Sequence, residues 1–468
     1  MTNESFYNFP KSNKQEWIEK VQKDLKGKDF KETLITKVWG ELDVMPLYSS
    51  EDLAPSNYSF RFHEKTKLPG LAPRIWNNVV SFYPEDEKKC NQEIIYALEN
   101  GADAIAIHLS GEENLNLILK GVLTEFIHLY FVPQGPPKLL YEQILEWIES
   151  LQIKPTMLQG AVIWSPTSDL FDRESEFLEN IELGAEMVNK FSAFREFFPM
   201  TLDIAKYADS GANGIQQVYL GLGEMIEMMD SFISKAVTPA MVFDNFAFYA
   251  SVGELFFPEI SKLKAFRILL VELAGNMGQE IPPESLHLIV STSDFSNSLI
   301  DKNSNLIRLT YEAMSAILGG SNSIWVKPIN EKSASVLEKR IARNISSILK
   351  EESFLDKVID PTAGSFYVES LIKEIKTKVL RKLELLEDEG GWLENFNSRK
   401  IHKLVRGERE KVQELVLKSE SIKVGVNKYE AKSELASNGS FEGFEEKDYE
   451  LKPTRATYLL ERNKLKKA

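Results

Sequence analysis

Few side chains in this sequence are able to do chemistry. Five histidines and one cysteine serve 468 residues. Cys90 has no second thiol to join, so neither an intrachain disulfide nor a thiolate metal cluster can be built. His63, His108, His128, His287 and His402 are scattered, and none falls in an HExxH or related metal-binding spacing. His108 sits in the apolar run Ala104–Leu109 and is the histidine best placed to face out from a strand end, although a single strand histidine is more simply a satisfied structural group. Lys206 and Asp209 could form an acid–base or Schiff-base pair if shielded from water, or an ordinary ion pair at a helix start. Neither a P-loop nor a GxSxG motif occurs. Gly211-Ala212-Asn213-Gly214 and Gly221-Leu222-Gly223 lack the spacing and strand context of a dinucleotide fingerprint, and helix termini and turns account for them. The run Glu85-Asp86-Glu87 reads as a helix N-terminus that complements the helix dipole.

What such residues can do depends on the elements that carry them. Short apolar or β-branched runs cover Val79–Tyr83, Ala104–Leu109, Phe126–Val132, Gly160–Trp164, Pro199–Ile204, Phe243–Ala250, Leu286–Ser291 and Ser323–Pro328. Longer segments of helical period lie between them. Near-continuous apolar strands alternating with helices predict a parallel sheet buried on both faces. Eight such units predict a (β/α)8 TIM barrel, with an open doubly wound sheet as the alternative on pattern alone. In a barrel the C-terminal strand ends carry the catalysis. Here they read Tyr83-Pro84-Glu85-Asp86, His108-Leu109-Ser110-Gly111, Ser165-Pro166-Thr167, Lys206 to Asp209, Ser251-Val252-Gly253, Ser291 to Asp294, and Lys327-Pro328. His287 opens its strand and so lies at the opposite end. The rim is poor in catalytic residue types.

Three regions follow. Residues 1–75 form an arm, with an amphipathic helix over Lys14–Leu25 and an extended stretch marked by Pro55, Pro69 and Pro73. Residues 76–390 form the barrel, its eighth helix expected over Val368–Leu386 after the Asp360-Pro361-Thr362-Ala363-Gly364 turn. Residues 391–468 form a charged helical or wrapping extension, rich in Ser, Gly and Glu over Ser433–Glu446, whose composition reads as a mobile or surface-wrapping tail and not another core. The balance of 56 basic against 70 acidic residues disfavours nonspecific nucleic-acid binding, which needs clustered positive charge. No apolar run is long enough for a membrane span, and Met1–Lys14 has no apolar leader, so a cytoplasmic protein is expected.

Several segments are similar to the barrel of methylmalonyl-CoA mutases. Arg340-Ile341-Ala342-Arg343-Asn344, Lys350-Glu351-Glu352 and Asp360 to Glu369 match the family's "RIARN…EE…VIDP.GGSYYVE" at the same spacing. Tyr311 to Gly320 resembles "IEAMAAALGG", and Glu99 to Asp103 and Gly425 to Tyr429 also match. The resemblance covers about residues 70 to 430. It implies a barrel acting with adenosylcobalamin on an acyl-CoA.

The departures from the family pattern point elsewhere. The histidine of the family's "GYHMQEAGA" is Lys206 here, and the glutamine of "TIQND" is Ile163. The arginine, histidine and glutamine of "RTHSQTSG" become His287, Ile289 and Ser291. The tyrosine of the family's "TMY…RPW" arm is missing from Gly70 to Trp76. Catalysis relies on preorganised polar groups aimed at the reacting atoms, and these replacements remove them. The cobalt-ligating D-x-H-x-x-G motif is also missing: His108 to Gly111 supplies H-x-x-G, but Ala106 stands at the aspartate position. Neither a flavodoxin-like cobalamin domain nor a bound cofactor or metal is expected in this chain. Ile163 and Trp164 are expected to fill the barrel interior. The resemblance thus implies a small, non-catalytic mutase subunit paired as a heterodimer with a homologous catalytic large subunit that binds adenosylcobalamin. The alternatives are the catalytic barrel of a split acyl-CoA mutase whose cobalamin domain is a separate chain, or an assembly scaffold.

Overall fold

The computed structural model describes residues 12–53, 72–151, 154–172, 175–430 and 443–465. Eight parallel strands form a cylinder: β1 Asn77–Phe82, β2 Ala104–Leu109, β3 His128–Pro133, β4 Gln159–Val162, β5 in two parts (Glu196–Phe198 and Met200–Asp203), β6 Phe246–Val252, β7 Leu288–Thr292 and β8 Ser323–Trp325. Each lies within a few residues of a strand expected from the sequence. The last strand returns to the first, Ser323 opposite Asn77 and Trp325 opposite Val79. That pairing excludes the open doubly wound sheet.

β5 is split because Pro199 has no amide hydrogen to give to a ladder. Its first part registers with β4 through Gly160 and Phe197, and its second with β6 through Met200 and Phe246. Thr201 bridges the junction, its N–H donating to the Trp164 carbonyl at 2.7 Å and its hydroxyl to the Val162 carbonyl at 2.8 Å. Side chains alternate along the strands. One set, including Ile105, Phe131, Val162, Phe248 and Val290, faces the helices and joins the main core. The other set faces the barrel axis.

Helices Glu87–Glu99, Pro137–Ser150, Phe177–Lys190, Gly214–Ile233, Phe256–Asn276, Lys302–Leu318 and Val336–Glu351 sheathe the cylinder, and between β2 and β3 stand the short helix Leu115–Ile118 and the 3-10 turn Thr124–Phe126. Asp86 caps the first of these, accepting from the Lys89 N–H at 2.9 Å, as the acidic run suggested. Asn213 caps Gly214–Ile233 in a capping box with Gln216, so the Gly211–Gly214 segment is a helix start. The helix expected as the eighth, here Phe366–Asp388, is not part of the ring. Val336–Glu351 already closes the ring against β1, and Phe366–Asp388 lies in a second layer across Gly214–Ile233 and Phe256–Asn276. Its buried stripe of Val368, Leu371, Ile372, Ile375 and Val379 finds apolar surface on the outer faces of those helices.

The C-terminal extension is helical over Gly391–Asn397 and Lys400–Leu417 and joins the core more closely than its composition suggests, while residues 431–442 of its Ser-rich stretch lie outside the described residues. Trp392, Phe396, Ile401 and Val405 belong to the main core. Most charged residues of helix Lys400–Leu417 lie on its solvent face, whereas Arg409 is buried. Residues 443–465 then cross the barrel mouth, where the Thr454 N–H donates to the Asp209 carbonyl and the Ala456 N–H to the Phe295 carbonyl, both at 2.9 Å. Glu446 holds this segment to Arg406 at 2.9 Å and Arg409 at 2.7 Å. In the N-terminal region, helix Lys14–Asp24 buries no residue. The stretch containing Pro55, His63 and Pro69 lies outside the described residues.

Gly160 shows how tightly β4 meets β3: its φ is +133°, and a Cβ there would stand 1.8 Å from the Leu129 carbonyl oxygen. Gly160→Ala combines a strained backbone with a backbone overlap, and the expected loss is about 3 kcal/mol, read as a lower denaturation midpoint at unchanged slope.

Candidate functional site

The barrel axis is filled by side chains. Tyr130, Phe198, Tyr249, Ile289 and Trp325 form an interior cluster with Ala104, Ala106, Ala161 and Ala247, and the five large residues are at most 9% exposed. Small residues on neighbouring strands leave room for the rings. The polar ends of the rings are satisfied inside the barrel. The Tyr130 hydroxyl lies 2.8 Å from His287 Nε2 and 2.6 Å from Ser323 Oγ, and the Tyr249 hydroxyl donates to Ser291 Oγ at 3.0 Å. Below them, His128 and His287 stack with ring centroids 5.6 Å apart. Burial holds the His128 imidazole down to about 4. Burial, with His128 and Arg267 adding to it, holds His287 well below the usual range.

Above this plug, at the C-terminal strand ends, a cavity of about 950 Å³ opens between the strand loops and the crossing segment 443–465. His108 lines it, stacked on Tyr83 at 4.0 Å, with its Nδ1 3.3 Å from the Gln134 amide nitrogen. Burial, and after it Lys327 and Lys332, depresses the His108 imidazole to about 3, so it is neutral at ordinary pH. Lys327 stands on the floor over the rings of Trp325 and Tyr249, at 5.0 and 5.3 Å. Burial works against its charge, yet Tyr249, Asp209, Asp294 and Glu331 hold the ammonium well above the ordinary lysine range. Burial pushes the carboxyls of Asp209, Asp203 and Glu331 upward. Asp209 ties the mouth together: it accepts from Ser251 Oγ at 3.2 Å, Ser293 Oγ at 3.0 Å and the Asp294 N–H at 3.1 Å.

The residues singled out in the sequence do not converge. Lys206 turns away from the mouth and pairs with the fully buried Glu224 at 2.8 Å, so it is not the partner of Asp209 and the pair does not lie on the surface. Glu224 accepts in addition from Thr167 Oγ1 at 2.6 Å and from the Tyr207 hydroxyl. Ile163 packs against the interior cluster, whereas Trp164 belongs to the outer core beside Tyr141. The expectation that both fill the axis is thus half right, because successive strand residues point to opposite faces. Ile289 and Ser291 face the axis, fully buried. His402 lies under the returning segment, its Nε2 2.8 Å from the Tyr449 carbonyl. The buried Cys90 thiol is pushed up to about 12, chiefly by desolvation. Asp203, Glu331 and the crossing segment were not singled out. Asp203 falls inside the predicted strand, and Glu331 lies beyond the predicted end of β8.

Among the described residues no group of three or more His, Cys, Asp or Glu is arranged to hold a metal ion, and no helix is long and apolar enough to cross a membrane. A resident corrin would need an imidazole presented at the mouth. His108 lies flat on Tyr83 with its Nε2 sealed from solvent, so the described residues do not fit that cofactor.

The family model described as methylmalonyl-CoA mutase matches residues 185–459, more than half of the sequence. The chain belongs to the methylmalonyl-CoA mutase family. It is 24% identical over 453 residues to the "Methylmalonyl-CoA mutase small subunit" of Porphyromonas gingivalis, a match covering 92% of this chain and 72% of that protein. It is 25% identical to the small subunit of Streptomyces virginiae, over 78% of this chain and 62% of that protein. It is 34% identical to the "Methylmalonyl-CoA mutase" of Cereibacter sphaeroides, over 88% of this chain and 64% of that protein. The chain therefore spans less than two thirds of the length of the last two relatives.

In this mutase-family barrel the stacked histidines have a consequence for stability. An imidazole whose pKa falls from 6.5 to about 4 on folding takes up a proton more readily when unfolded. Stability is thus full above pH 6.5 and is lost as pH falls through about 4. His128→Phe is expected to flatten this acid arm, each histidine accounting for roughly a tenfold change in the unfolding constant per pH unit. Urea titrations at successive pH values between the two limits measure it.

Proposed function

We propose that this chain is a non-catalytic small subunit of a methylmalonyl-CoA mutase, pairing with a homologous, larger catalytic chain. In the complex the partner holds adenosylcobalamin and isomerises (R)-methylmalonyl-CoA to succinyl-CoA in the cytoplasm. This chain contributes structure, with the region before residue 76 and the extension after residue 390 as its candidate docking parts. The observation that carries the reading is the filled axis. A thioester arm lying along the barrel would have to displace Tyr130, Tyr249 and Trp325, each at most 5% exposed. The positions corresponding to the family's polar contacts, occupied by Lys206, Ile163, His287, Ile289 and Ser291, add nothing that could stabilise a reacting carbonyl: Lys206 is paired elsewhere, Ile163 and Ile289 are apolar, and His287 and Ser291 hydrogen-bond to interior tyrosines. The names of two relatives, both small subunits, support the same reading.

Expressed alone and supplied with adenosylcobalamin, the chain is expected to form no succinyl-CoA from methylmalonyl-CoA. Co-expressed with a catalytic mutase chain from the same source, it is expected to co-purify at a fixed one-to-one ratio. Turnover by the isolated chain, or tight saturable binding of CoA esters in calorimetry, would falsify the proposal.

A further inference from the structure

We propose that the catalytic partner docks on the outer wall of the barrel, over helices Lys302–Leu318 and Val336–Glu351, with its own corresponding helix pair turned end for end against them. This rests on the subunit reading and adds a face of the barrel to the two docking regions named above. The two helices pack on each other and on the strands through Leu309, Ala313, Ile317, Ala342, Ile345 and Leu349. That stripe accounts for one face of each. A second, largely apolar row faces outward. On the first helix Ile307, Thr310 and Met314 follow at steps of three and four; on the second Leu337, Ile341, Asn344 and Ile348 follow at steps of four, three and four. Ile307 is 68% exposed, Leu337 61% and Ile348 44%, and beside them Val336 reaches 84%. A wall helix that meets only water on its outer side is polar there. Apolar side chains at heptad steps on two adjacent helices form instead a seam against which further helices pack.

The rest of the wall shows how such faces are covered. The outer sides of Gly214–Ile233 and Phe256–Asn276 lie under the second-layer helix Phe366–Asp388. Among the described residues the next two helices round the ring have no such cover, so the layer stops where the seam begins.

Charge selects the occupant and its direction. On helix Val336–Glu351, Glu338 is tied to Ser335 in a capping box, while Lys339 and Lys350 act on Cys90 and Asp103 of the neighbouring elements. The exposed charges left are Arg340 near the start and Glu351 and Glu352 at the end. A two-fold axis across the helices sets the start of one against the end of the other, so an arginine meets a pair of glutamates on both sides of the axis. Arg340, Glu351 and Glu352 all belong to segments that match the mutase family, so a homologous chain brings the complementary set. An anionic lipid surface is disfavoured by the net charge of -14.

The test follows one-to-one complex formation between the full chain and the catalytic chain from the same source by sedimentation. The double variant Ile307→Glu/Leu337→Glu changes only exposed side chains; it is expected to melt with the wild type and to bind at least about a hundredfold more weakly. Leu178→Glu alters an exposed leucine on the far side of the ring and is expected to leave binding intact. Arg340→Glu carries the test should the double variant melt early. It is expected to weaken the complex about tenfold, and reversing the charge of the catalytic chain's glutamate pair that corresponds to Glu351 and Glu352 is expected to restore it. The docking face is overturned, with the subunit reading intact, if the double variant pairs as the wild type does or if Leu178→Glu disrupts pairing equally. Failure of the charge rescue overturns the end-for-end arrangement. A wild-type chain that pairs only with itself, or with nothing, overturns the subunit reading as well.

Discussion

The interior of an eight-stranded cylinder has room for its own side chains or for a guest, but not for both. Here Tyr130, Phe198, Tyr249 and Trp325 take that room. The two tyrosine hydroxyls meet partners on other strands, so the plug also stitches the cylinder: Tyr130 joins β3 to β8 and to His287 at the foot of β7, and Tyr249 joins β6 to β7. Emptying the axis would need several simultaneous changes, because a single truncation leaves a void and an orphaned hydroxyl. The neutral state of the histidines beneath and the confinement of free volume to the mouth both follow from this packing.

Above the plug, the mouth is organised by buried charge. Asp209 draws together the ends of β6 and β7 and, through its backbone carbonyl, the C-terminal segment at Thr454. Glu224 does the same on the outer side of β5, linking Thr167, Lys206 and Tyr207, with Trp392 donating to the Tyr207 hydroxyl at 2.9 Å. Both carboxylates receive several donors, the arrangement that makes a buried acid tolerable. The stretch after residue 390 is therefore part of what holds the barrel together, although its composition alone suggests a solvated tail.

The strands were legible in the sequence because buried parallel strands are written as short apolar runs, a local signal. Their closure was only inferable, since the contact between β8 and β1 spans almost the whole barrel. The layer containing Phe366–Asp388 was misread for the same reason: an amphipathic stripe states that a face is buried but not against what. At the site, His108 and the strand-seven positions were placed correctly by strand order. The partner of Lys206 was not, because Glu224 lies in the following helix and a short spacing to Asp209 suggested a nearer mate. Trp164 was misplaced by one residue of strand phase, which is enough to change faces. A filled axis was expected, but the aromatic residues that fill it went unrecognised, since Tyr130, Tyr249 and Trp325 stand far apart in sequence and meet only on the axis.

Pro199 gives the cylinder a seam. Everywhere else adjacent strands share a continuous ladder, but at β5 the ladder passes from one neighbour to the other around a residue that cannot donate. If the wall parts, it parts there, and the two lips become free sheet edges able to pair with a foreign strand. Thr201 and the Tyr141 hydroxyl, which donates to the Pro199 carbonyl, act as clasps across that line. Amide exchange in the flanking strands would therefore begin at this junction, making it the hinge of local opening in an otherwise uniform wall.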